Sequence, residues 1–353
     1  MTRPARVLAM LAVALGAVLC SADPAAAHGV AGVQPTNYET RITSVTPRLR
    51  GVEVRAVDLG NRLELRNNGD HDIVVLGYRG EPYLRVGPNG TEENLRSPAT
   101  YLNRRNDLTE QVPSSANASA APQWRKLTSA PVARWHDHRA HWMGTQPPPN
   151  VRRDPGRRQV VQHFVIMLRD GNVPVRVTGE VIWVPGPSPW PAVLGALVLA
   201  LVVLALSRMR VWAWVLGGTL ALLVATESLH VLGLWGATTS TGVTKLAASA
   251  YSLGGIVVGI VALVWLVRRG GVAAAPAVLV AAVFLTVSGG LGDITVLSHS
   301  QVPSTLPDWI ARLEVVVALG LGVGLLAASA LRLRAPTPAP SGGREPHGAA
   351  VTS

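Results

Sequence analysis

The sequence predicts an all-β extracytoplasmic head, a sandwich, followed by an α-helical membrane domain of five transmembrane helices, and two observations carry that expectation. Composition changes near Trp190: beyond it, apolar blocks alternate with short basic or polar loops, and each block is near the ~20 residues that a bilayer core requires. Before it, short apolar runs with partial alternation are separated by turn-forming residues, a spacing that favours a sandwich over a parallel α/β sheet. With 353 residues the chain has room for two domains.

In chain order, Arg3 and Arg6 precede an apolar run from Val7 to Cys20, and Ala25-Ala26-Ala27 follows. That layout is a secretory signal peptide over residues 1–27, with His28 as the first residue after cleavage. Cys20 is the one cysteine, so the expected mature chain has no disulfide and no thiolate chemistry. A free α-amine and the Nδ1 of the same histidine can chelate one metal ion once both are neutral.

The head is expected over residues 28–187. Arg41 to Val45, Val52 to Val57, Arg62 to Arg66, Ile73 to Tyr78 and Tyr83 to Val86 read as strands. Val160 to Leu168 and Val173 to Val184 read as a hairpin across Arg169-Asp170-Gly171-Asn172, because Asp-Gly is a strong turn signal. Between these groups, about Asn103 to Gln123 is small, polar and aperiodic, and reads as a long loop.

A nine-residue stretch, Trp135-His136-Asp137-His138-Arg139-Ala140-His141-Trp142-Met143, then concentrates metal-ligand chemistry in an irregular insertion between strands. On a strand His136 and His138 share a face; in a helical turn His138 and His141 lie one above the other. Imidazole suits copper, zinc, iron and nickel, and the thioether of Met143 is a soft ligand suited to cuprous ion. The spacing matches no fixed metal motif, and a structural loop whose histidines bond to backbone fits the same residues.

The membrane domain is expected over residues 188–334, with spans at about Trp190 to Leu206, Val211 to Leu234, Leu246 to Val267, Val272 to Leu291 and Trp309 to Leu331. With the head outside, the arginines at Arg208, Arg210, Arg268, Arg269, Arg332 and Arg334 fall on the cytoplasmic side. The formal charge of +11 therefore reads as membrane-surface charge, with the lipid bilayer as partner and no nucleic-acid fingerprint. Residues 335–353 read as a disordered cytoplasmic tail. Within the spans, Glu227 and His230 share one helical face, while Asp293, His299, Arg312 and Glu314 fall near segment ends on the same side. Ionisable groups there are expensive and need partners. A metal or proton site, a structural polar network and haem ligation by His230 with His299 all fit these residues.

His28, the run Ser44-Val45-Thr46-Pro47 and the strands after it resemble the start of the bacterial CopC-type copper-binding proteins. Those are small extracytoplasmic β-sandwiches of immunoglobulin-like build with an amino-terminal histidine ligand, and some are fused to a CopD-type membrane domain. The resemblance covers about a tenth of the chain, and the membrane part here is shorter than CopD. It implies copper as the ion and an extracytoplasmic copper carrier as a partner. The resulting expectation is a multi-pass membrane protein that binds, delivers or takes up copper, with His28, His136, His138, His141 and Met143 capturing it and Glu227, His230, Asp293 and Glu314 accepting it. Catalysis is not required, and no phosphate loop or nucleophile elbow is present. The alternative is a membrane-anchored interaction or assembly protein of the cell envelope.

Overall fold

The computed structural model describes residues 33–104, 111–269 and 271–334. Ten strands form the first part: β1 (Tyr38–Thr46), β2 (Val52–Val57), β3 (Arg62–Asn67), β4 (Ile73–Leu76), β5 (Pro82–Gly87), β6 (Gly90–Asn94), β7 (Trp124–Thr128), β8 (Val132–Trp135), β9 (Gln159–Asp170) and β10 (Val173–Trp183). They make a seven-stranded sheet in the order β1-β10-β9-β4-β5-β6-β7 and a three-stranded sheet β2-β3-β8. Every pairing is antiparallel.

Period-two alternation explains the strands. On β10, Val175, Val177 and Val181 are fully buried, whereas Arg176 is exposed. The two sheets share one core: Leu63, Leu65, Ala133 and Trp135 from the small sheet pack with Ile73, Val75, Val86, Ile166, Leu168 and Val177 from the large one. The Asp170-Gly171 turn closes β9 on β10 with Gly171 at φ 56, as that dipeptide predicts. Strands β6, β7 and β8 were not foreseen. Their register is secured by charge across strands, Arg85 to Glu92, Arg125 to Glu93 and Arg134 to Glu64. Residues 111–123 are irregular, as expected, and two short helices, α1 (Ala99–Leu102) and α2 (Pro149–Arg153), complete this part.

The second part is helical: α3 (Trp190–Leu206), α4 (Trp212–Ala237), α5 (Gly242–Ala248), α6 (Ala250–Arg269), α7 (Ala275–Thr286) and α8 (Asp308–Arg334). Three of these, α4, α6 and α8, are long and apolar enough to cross a membrane; α3 and the segment Ala275–Leu291 are shorter apolar helices. Large side chains such as Leu194, Leu197, Trp214, Leu232, Val261 and Val267 are exposed on their outer faces, an apolar surface that water would not tolerate but lipid would. Helix α8 is central. A Cβ on Gly320 would stand 2.7 Å from the Ala196 carbonyl oxygen, and one on Gly324 would stand 2.8 Å from Val203 Cβ, so both glycines let α3 and α8 close.

Two connections tie the parts together. Thr36 and Gln301 exchange backbone hydrogen bonds of 3.1 and 2.9 Å, and the Ser300 amide donates to Asn37 Oδ1 at 2.9 Å. On the other side, Asp58 accepts from the Thr239 amide at 2.8 Å and from its hydroxyl at 2.7 Å. The first and last strands of the head are neighbours, and the Val184 amide still bonds to the Asn37 carbonyl at 2.8 Å just before α3 begins.

Candidate functional site

The histidine stretch starts at the end of β8 and turns sharply. Asp137 accepts from the Arg139 amide at 3.1 Å, which nucleates a 3-10 turn over His138–Ala140. The fully buried Asp137 carboxylate also receives Trp135 Nε1 at 3.0 Å and Arg139 Nε at 2.8 Å. Arg139 in turn lies 4.8 Å over the Tyr78 ring, and the Tyr78 hydroxyl donates to Asn103 and accepts from the His138 amide at 3.2 Å. Burial pushes the Tyr78 phenol far up, so this hydroxyl remains a donor.

The pair of imidazoles that converges is therefore neither of those that strand or helical periodicity predicts. His136 Nδ1 and His141 Nε2 meet on the same Asn61 carbonyl oxygen, at 2.8 and 3.0 Å. A carbonyl only accepts, so both nitrogens carry hydrogen, leaving His136 Nε2 and His141 Nδ1 as the lone-pair atoms. Burial lowers the pKa of each, which keeps both neutral near pH 7. His138 is turned towards Tyr78, with ring centroids 6.3 Å apart. Met143 is half-buried. His28, the expected signal peptide and the expected tail lie outside the described residues. His71, between Asp70 and Asp170 at 2.7 Å each, is an exposed residue of the connection from β3 in the small sheet to β4 in the large one, which is not a hairpin.

The second set of predicted residues does come together. His230 Nε2 lies 3.2 Å from Asp293 Oδ2, and His230 Nδ1 lies 3.7 Å from Glu314 Oε2. Glu227, one turn before His230 on α4, is 2% exposed. Its carboxylate lies against the turn after α7, where a Cβ on Gly289 would stand 1.9 Å from Glu227 Oε2. That turn, Val287–Leu291, is a π-helix, a local widening often found at functional sites. Glu227 Oε1 and both oxygens of Glu314 are buried and accept no hydrogen bond. Two carboxylates, Asp293 and Glu314, lie within 4 Å of one imidazole and Glu227 is buried one turn away, so with all three ionised even a protonated His230 leaves an excess of negative charge. Burying that charge is costly unless protons or a cation balance it. Among the described residues, no three His, Cys, Asp or Glu side chains already stand as a closed metal-ligand set. His299 is held differently, with Nδ1 donating to the Thr295 carbonyl at 2.7 Å and its own carbonyl receiving Arg312 at 2.8 Å.

Two cavities flank the junction. One, of about 390 Å³, is lined by Gln34, Pro35, Thr36, Tyr38, Asp58, Asn61, His141 and Trp142, among others. Its floor includes consecutive non-glycine residues in the left-handed region, Asp58 at φ 53 and Leu59 at φ 56. Such backbone costs about 1–3 kcal/mol per residue and clusters at functional sites. The other, of about 40 Å³, is lined by Val33, Pro35, His230, Asp293 and Ser304, among others.

Sequence reasoning missed Asn61, Asp58 and Pro35. All three act through contacts remote in sequence, and Asp58-Leu59-Gly60 looks like an ordinary turn. No family model matches the chain, and no curated protein or solved structure is significantly similar to it.

Proposed function

We propose that the chain is an integral membrane protein that binds and passes on a metal cation, with copper as the ion and with the cluster of Glu227, His230, Asp293 and Glu314 as the accepting element. The observation that carries this reading is the excess of buried carboxylate around one imidazole, with three carboxylate oxygens that accept no hydrogen bond. A cation offsets that charge where a protein partner does not. Imidazole nitrogen with carboxylate oxygen is a donor set suited to cupric ion. His136 and His141, held neutral and each with one free-electron-pair nitrogen, supply capture in the head. In this reading the head is a sandwich outside the cell, all five apolar helices cross the bilayer, and the carboxyl terminus is cytoplasmic; His28, His138 and Met143 are auxiliary ligands, and an extracytoplasmic carrier supplies the ion.

The test is copper binding by the full chain in detergent, measured by calorimetry and by metal content after desalting. Binding should fall at least tenfold in Glu314→Gln and in His230→Gln, and less in the His136→Ala, His141→Ala pair. A full chain that retains no copper after desalting overturns the proposal.

A second reading, an envelope assembly protein, is favoured by one observation. β7 is the edge of the large sheet, and its Leu127 is 51% exposed, which is where a partner strand adds. A copper-free chain that captures an envelope partner, and loses it on Leu127→Lys, would support that reading instead.

A further inference from the structure

We infer that the cation reaches the buried cluster from the head side, through the cavity at the junction, and sheds part of its water at the boundary marked by Pro35. This route rests on the cluster being the cation site. The larger cavity carries His141, Tyr38 and Trp142 on its lining, and the smaller one carries His230 and Asp293. Pro35 lines both. Pro35, in the segment that leads into β1, thus borders both spaces, and its neighbours Gln34 and Thr36 line the larger one.

The alternatives are closed by apolar packing. Farther along the bundle, Leu216, Leu220 and Leu223 on α4 pack with Leu285 on α7 and Leu321 and Leu325 on α8, all buried. The buried polar side chains near that group, Thr286 and Ser329, offer hydroxyls but no charge, so an ion leaving the cluster that way would lose its carboxylate and imidazole partners. Sideways lies the exposed apolar face of the helices, where lipid excludes charge.

Size fixes where dehydration occurs. One water needs about 10–15 Å³ of cavity, so a shell of about six waters needs roughly 60–90 Å³. The larger cavity, of about 390 Å³, holds that shell, and the smaller one, of about 40 Å³, holds about half of it. The ion must exchange the rest for protein donors at that boundary. On the outer side His141 is the donor within the lining, since its Nε2 is spent on Asn61 and Nδ1 keeps the lone pair. Asp58, also on the lining, holds Thr239 with both of its oxygens.

The experiment places a single cysteine at Gln34 in the Cys20→Ser full chain, and follows Cu²⁺ loading by stopped flow against a chromophoric chelator. Before modification the variant should load as the parent does. After reaction with a bulky cationic methanethiosulfonate, loading should slow at least tenfold while the copper bound at equilibrium stays the same, and Trp142→Cys should behave alike. Unchanged loading rates in both modified variants overturn the route while leaving the cluster as the site. If the unmodified parent binds no copper, the cluster reading falls, and the route with it.

Discussion

Asp58→Ala should loosen the head from the helices without unfolding either. Asp58 is 4% exposed and accepts two hydrogen bonds from Thr239, at 2.8 and 2.7 Å, with Arg62 Nε at 3.6 Å from the same carboxylate. Hydrogen bonds to a charged group contribute about 1.5–3 kcal/mol each. The two here share one acceptor group, and Thr239 regains water when the contact opens, so the lower bound applies and the sum is about 3 kcal/mol. Alanine in the left-handed region, at φ 53, adds up to about 1 kcal/mol of strain that aspartate tolerates better. A loss of about 3 kcal/mol is a factor of more than ~100 in the opening equilibrium. Native-state hydrogen exchange on the full chain reads this directly: the amides of Ser300 and Gln301, both bonded across the junction, should exchange about 100-fold faster. Asp58→Asn, which keeps an acceptor and tolerates φ above zero, should show about half that free energy. Exchange at those amides within threefold of the parent would refute the clamp. So would an equal acceleration along β9 and β10, which would mean that the head had unfolded.

Three further outcomes follow from the same geometry. Acid should destabilise the head through His136 and His141: burial holds their folded pKa below the unfolded value of about 6.5, so the unfolded chain binds more protons and stability falls as pH drops below that value; His136→Gln with His141→Gln should flatten the melting-temperature profile between pH 7 and 5. Asp137→Ala leaves Arg139 and Trp135 Nε1 without their shared acceptor, and should cost about 3–5 kcal/mol, or roughly 10 °C in a scan of the full chain. Gly289→Ala puts a methyl 1.9 Å from Glu227 Oε2; overpacking of about 1–3 kcal/mol must displace the carboxylate, so copper affinity should fall while Gly218→Ala, where a Cβ meets nothing within 4 Å, leaves it unchanged.

Much of the head was legible because alternation and turn chemistry are local. The β9–β10 hairpin followed from Asp170-Gly171, and β1 to β5 followed from their apolar runs. β6 was not legible: Gly90-Thr91-Glu92-Glu93-Asn94 has no apolar face, and it is a strand because Arg85 and Arg125 neutralise its glutamates from either side. The histidine stretch was legible as a concentration of imidazole and misleading as geometry. Periodicity paired His138 with a neighbour, whereas the pairing of His136 with His141 depends on the Asn61 carbonyl, remote in sequence. The convergence of Glu227, His230, Asp293 and Glu314 was legible for a different reason: in a bundle, ends of alternating helices share one level, and cost forces isolated polar groups together. The π-turn at Gly289 had no sequence signal beyond paired glycines.

The start and end of the head lie side by side, with β1 and β10 hydrogen-bonded to each other as far as Val184, so only a short connection separates this seam from α3. Together with the bonds at Thr36, Asn37 and Asp58, this makes the head a rigid fiducial projecting from the bundle. A helical bundle this small gives a microscopist little to align on inside a micelle. Here the β-domain supplies the asymmetric landmark, and particle images of the full chain can be oriented by it without an added antibody fragment.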